Sequence, residues 1–135
     1  MLIVCPSQKV AVLNLMLAAG GALHTPQLVI VKNPAYAPTP QTAFADLVPC
    51  TFNGSAAVSP YVFTAPFVND AGAAELMGAW APFFSADGLI TETITGYAVL
   101  NTAGNAIVWT EALVTPVVVS TIGTGILLAA RLILA

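Results

Sequence analysis

The 135-residue chain is 58% hydrophobic and only 7% charged, with three basic and six acidic residues and a formal net charge of −3. An ordinary soluble domain is about 25% charged. This much apolar matter excludes a disordered tail, three cations exclude an electrostatic nucleic-acid binder, and two cysteines exclude a disulfide scaffold.

The length suits one domain, residues 1–135, of the usual size. A folded chain of this mass exposes about 6,600 Å² against about 20,000 Å² unfolded, so it can bury a core without staples. The mean hydropathy of +0.89 leaves two classes in view. One is a membrane protein. The other is a subunit that hides its surface against other chains.

The N-terminal segment MLIVCPSQK has no basic region and does not read as a signal peptide. Pro6-Ser7-Gln8-Lys9 opens a helix, since proline suits the first helical turn. Val10, Leu13, Met16 and Leu17 recur on one face at helical spacing. The glycine pair Gly20-Gly21 stops it, which predicts a helix over 6–19. Residues 28–31, LVIV, read as a short buried strand closed by Asn33-Pro34. The connector 34–40 carries Pro34, Pro38 and Pro40, which disfavour helix.

Beyond it, turn clusters recur at Asn53-Gly54, Asp70-Ala71-Gly72, Asp87-Gly88, 101–105 and 123–125. Between them, strands are expected over 58–64, 77–84, 89–95, 96–100, 106–111, 117–121 and 126–134. The clearest hairpin joins 97–100 to 107–109 through a polar loop, with Tyr97 facing Trp109. Many short strands with Gly, Pro and Asn turns argue a mainly β fold. The expectation is an antiparallel β-sandwich, jelly-roll-like, over 27–135 behind one short N-terminal helix.

Two stretches lack charge for about the length of a membrane span, 10–31 and 112–130. The first is broken by Asn14, Gly20-Gly21, His24 and Pro26. The second carries Pro116, a β-favouring Val117-Val118-Val119 run and a Gly123-Thr124-Gly125 turn. No flanking Lys/Arg clusters mark an orientation. Neither reads as a span.

The sequence nominates no catalytic, cofactor-binding or metal-binding residues. His24 is the single histidine, so a His-His metal site within one chain is excluded. Cys5 and Cys50 fit no CxxC motif and read as apolar fillers or, in an oxidising compartment, a pair. The carboxylates are Asp46, Asp70, Glu75, Asp87, Glu92 and Glu111. A glycosidase needs two of these across a cleft. Asp70 and Asp87 sit in turns, where aspartate bonds local backbone, and Glu92 reads as part of a solvated strand face. Phosphate loops, a GxSxG elbow and a calcium loop are absent. The aromatics Trp80, Phe83 and Phe84, and Tyr61, Phe63 and Phe67, read as core or subunit interface before ligand platform.

A pattern does emerge from Lys32-Asn33, Pro38-Thr39-Pro40, Ala45-Asp46-Leu47, Phe52, Gly96-Tyr97 and Trp109-Thr110-Glu111. In this order it resembles a family of small structural proteins of tailed bacteriophages, similar to capsid decoration (cement) proteins. The resemblance covers most of the chain after residue 26 and carries no catalytic signature. It implies a β-sandwich virion protein, similar to head decoration proteins or to minor head and tail-associated structural proteins; the role expected with it is a non-enzymatic homo-oligomer, trimer favoured, docked on the major capsid protein at the capsid surface. It implies no nucleic acid, membrane or cofactor. The physics agrees, since apolar surface beyond the needs of one core must be covered. The competing expectations are a sugar- or host-binding β module of a tail or spike, and a small membrane protein.

Overall fold

The computed structural model describes residues 5–134. Among these the chain is mainly β, with one α-helix, a 3-10 turn and eight strands in three antiparallel sheets. Helix α1 covers Pro6–Leu17. The strands are β1 (Gln27–Val31), β2 (Phe67–Val68), β3 (Ala74–Met77), β4 (Ala81–Phe84), β5 (Glu92–Leu100), β6 (Ile107–Val119), β7 (Gly125–Leu128) and β8 (Arg131–Leu134). The sheets are β1-β5-β6, β2-β3-β8 and β4-β7.

The helix ends two residues before the expected 19. Ala18 is already extended, its amide bonded to the Asn14 carbonyl. The chain then doubles back, and the Leu23 amide donates to the Met16 carbonyl. A side chain at Gly21 would overlap the Leu15 and Met16 carbonyls, so glycine is required for this close return. The predicted face is the buried one: Leu13 lies in the core, with Val10, Met16 and Leu17 packed against it.

Strand β5 forms the centre of its sheet and is buried on both sides. Its inner side presents Ile94, Tyr97 and Val99 to the main core, together with Leu28 and Ile30 of β1. Its outer side presents Ala98 and Leu100, which join Val29, Val31 and Leu47 in a second cluster flanked by Tyr36 and Ile107. The proline-rich connector therefore acts as a lid on the sheet. Five hydrogen bonds fasten it and its flanks. The Tyr36 hydroxyl meets Thr110 Oγ1 at 2.5 Å. Asn33 donates to the Asp46 carbonyl and accepts from the Val48 amide, at 2.7 and 2.8 Å. The Lys32 amide donates to the Val48 carbonyl, and Cys50 to Ile30, which also covers the free edge of β1.

Several expected strands are redrawn. Segments 89–95 and 96–100 join in one strand, with 89–91 left outside. Gly96 does not interrupt it, because its bare Cα is where the Tyr36 ring of the lid rests. Segments 106–111 and 117–121 merge into β6 through a bulge in which residues 113–116 stand opposite Thr95. Segment 58–64 makes only isolated bridges, Val58 to Leu28 and Phe63 to Gly78. Pro60 between them has no N–H to donate to a ladder. Segment 77–84 divides between the end of β3 and β4, and 126–134 between β7 and β8. The second break arises because Ala130 bonds elsewhere: its carbonyl accepts from Gly78 and its amide donates to the Tyr61 hydroxyl. The β5–β6 hairpin forms, but Tyr97 pairs with Glu111 and Trp109 with Val99. The loop between them covers residues 101–106, and a register shift at Leu100 moves the pairing.

Neither charge-free stretch is a helical span. Residues 10–31 divide into α1 and β1, and 112–130 into β6, a turn and β7. No helix among the described residues is long and apolar enough to cross a membrane.

Candidate functional site

An open groove of about 600 Å³ lies beside the end of β5, lined among others by Lys32, Thr51, Ile90, Thr93, Thr95 and Pro116. At its floor lies Glu92. Far from being solvated, as expected for a strand face, it is buried. Lys32 forms an ion pair with its Oε2. Its Oε1 accepts from the amides of Thr51 and Phe52 at 2.6 and 2.7 Å. The Thr51 hydroxyl donates to Oε2 at 3.0 Å. Burial by itself raises the Glu92 pKa. The bonds from Lys32, the two amides and the Thr51 hydroxyl outweigh that and leave it below the ordinary carboxylate value. Each oxygen has two donors, so no acceptor is left to take a substrate proton. The arrangement is a strut that fixes residues 49–52 against β5.

Cys50 sits beside this strut and is buried. Burial first, and then the Glu92 charge against the opposing Lys32, pushes its thiol up to about 12. It carries almost no thiolate at neutral pH and is a poor nucleophile. Cys5 is exposed, and both thiols are free. Iodoacetamide at neutral pH should therefore label Cys5 in the native chain and Cys50 only after denaturation, a difference read directly by mass spectrometry. Two labels on the native chain would contradict the burial of Cys50.

The other polar residues also do structural work. His24 is exposed, with Nδ1 3.3 Å from the Leu17 carbonyl at the helix end. Asp46 accepts from the Ala43 amide and closes the 3-10 turn at Phe44–Asp46. Asp87 accepts from the Leu89 amide, as its turn position suggests. In the 69–73 turn the local bonds are made by Asn69, which accepts from Ala71 and Ala73. Glu75 is buried in an ion pair with Arg131. Glu111 accepts from the Tyr97 hydroxyl at 2.9 Å. Burial foremost pushes that hydroxyl up to about 12. No group of three or more His, Cys, Asp or Glu among the described residues could hold a metal ion.

The remaining candidates are apolar and exposed. Trp80 is 68% exposed, Leu89 82% and Ile122 72%. Gly88, which precedes Leu89, lies against the backbone of Thr121 and Ile122. Trp80 immediately precedes β4. Tyr97 is buried. The sequence does not reveal the strut, because no local signal tells a buried glutamate from a solvated one.

Comparison with known proteins finds no matching family model, no matching curated protein and no matching solved structure.

Proposed function

We propose that this chain is a structural virion subunit of the head-decoration type, which binds copies of itself and the assembled capsid and stabilises the shell. The observation that carries this reading is the pairing of widely exposed apolar residues with polar groups that are occupied by internal bonds. Leu89, Ile122, Trp80 and Val62 are all more than 60% exposed, whereas the most buried carboxylates, Glu92 and Glu75, are each engaged by a cation. Such a surface suits docking rather than chemistry. A subunit that binds only the assembled shell stabilises that state by mass action.

The sandwich architecture belongs to the same proposal. The β1-β5-β6 sheet forms one layer, and the β2-β3-β8 and β4-β7 sheets the other. Support comes from the core itself, where Leu28, Ile30, Ile94 and Val99 share one cluster with Ala74, Leu76, Ala81 and Phe83.

The test is sedimentation of a lysate in which phage particles are made from the genome encoding the chain. The chain is expected to travel with heads and to stay bound from roughly 0.1 to 1 M salt, since apolar contacts are little affected by screening. Recovery entirely in the particle-free fraction overturns the proposal. The exposed Trp80 favours a second reading, a sugar-binding module. That reading predicts retention on an immobilised oligosaccharide and its loss in Trp80→Ala.

A further inference from the structure

The two apolar outer sheet faces are treated differently. The lid covers the outer face of β1-β5-β6. The outer face of the β4-β7 pair is left bare. Ala81 and Phe83 point into the core, so the alternating positions Trp80, Pro82 and Phe84 face out. Across the ladder Leu127 stands opposite Pro82, and Gly125 opposite Phe84. Val62 lies alongside, its carbonyl accepting from the Ala79 amide. No residue of this strip carries a charge.

We infer that a second copy of the chain packs on this strip, the two strips lying face to face about a two-fold axis. The inference rests on the structural-subunit reading and names one of its contacts. Three observations select a second copy as the occupant. The first is area. From the exposures of Trp80, Leu127, Val62, Phe84 and Pro82 the strip offers roughly 500 Å² of apolar surface. That is near the top of what a monomer leaves bare and over half of the ~800 Å² per partner that a stable pair buries. Two such strips together bury about 1,000 Å², the size at which specific interfaces begin.

The second is charge. Any charged residue near the middle of a strip would face its own copy across a two-fold axis and repel it. This strip has none. The third is shape. Trp80 projects at one end, and at the other Gly125 adds no side chain beside Phe84. The two ends lie about 14 Å apart along the strand. A two-fold axis near Pro82 reverses one strip over the other, so each Trp80 meets the other copy's Phe84, beside which Gly125 adds no competing side chain. Tryptophan is also the residue most enriched among the anchors that dominate interfaces.

The experiment is analytical ultracentrifugation of the purified full chain across a concentration series, with Trp80→Asp and Leu127→Asp beside it. Circular dichroism checks that both variants keep the fold, as exposed positions should. The wild type is expected to show the mass of two chains. Each variant is expected to raise the dissociation constant at least ~30-fold. A wild type that stays single at every concentration overturns the inference. So does a two- or three-chain mass that neither variant changes, and so does a single chain retained through Trp80 on an oligosaccharide. Co-sedimentation with heads is read separately. A chain that binds heads without pairing sinks this inference alone, and a chain that pairs through Trp80 without binding heads sinks only the virion role.

Discussion

Replacing Glu92 by alanine is expected to cost about 3 kcal/mol and to lower the melting temperature by roughly 10 °C. The change removes acceptors from the amides of Thr51 and Phe52 and from the Thr51 hydroxyl. The Phe52 residue is 2% exposed, so its stranded amide finds little water, and each bond to a charged acceptor is worth ~1.5–3 kcal/mol. Lys32 contributes less, because its side chain keeps 31% of its exposure and its lost partner is replaced by solvent. The same carboxylate sets a pH response. Its folded pKa is below its unfolded one, so its stabilisation is complete above about pH 4.3 and is lost as the pH falls towards the folded value. Glu92→Gln keeps the shape but cannot ionise. Thermal melts from neutral to acid pH should converge for wild type and Glu92→Gln. Curves that stay parallel would refute the assigned role.

Gly78→Ala is expected to destabilise the chain by about 3–5 kcal/mol, a large part of the ~5–15 kcal/mol that holds a domain together. An added Cβ would overlap the hydroxyl and ring edge of Tyr61. That ring has nowhere to go. It is 2% exposed and packs edge-on against Phe63 with centroids 5.0 Å apart. Its hydroxyl donates to the Ala79 carbonyl at 2.7 Å and accepts from the Ala130 amide at 2.9 Å. Overpacking costs ~1–3 kcal/mol, and the displaced hydroxyl leaves buried backbone groups unpaired at a similar cost. Tyr61→Phe alone should cost about 1–3 kcal/mol. The double variant should cost less than the sum, since removing the hydroxyl relieves the nearest overlap. Chemical denaturation of the four proteins measures the coupling. Strict additivity would show that the two residues do not meet.

The parts of the fold legible in the sequence are those decided locally. Pro6 and the Val10–Leu13–Met16–Leu17 spacing place the helix, and the polar loop after Leu100 places the β5–β6 hairpin. What was not legible depends on distant partners. Gly96 read as a break, yet it lies inside β5 because Tyr36, sixty residues earlier, occupies the space its side chain would need. Glu92 read as solvated because residues 49–52, which cover it, are far away in sequence. Strand β2 is only two residues long, too short for any periodicity to show. The apolar excess was visible from composition, but its division into a covered face and a bare one was not, since that depends on where the connector lies.

The late strands have a consequence for biosynthesis. β7 completes the pair with β4, and β8 bonds to β3, so two earlier segments wait for partners made well after them. A ribosome emits its chain from the N-terminal end and shields the newest residues in its tunnel. While translation passes through β8, β3 and β4 are already outside with open edges and apolar side chains. Closure of both sheets therefore waits until β7 and β8 have left the tunnel. Nascent chains arrested within β8 should be captured by chaperones that grip exposed strands, and let go once that strand emerges.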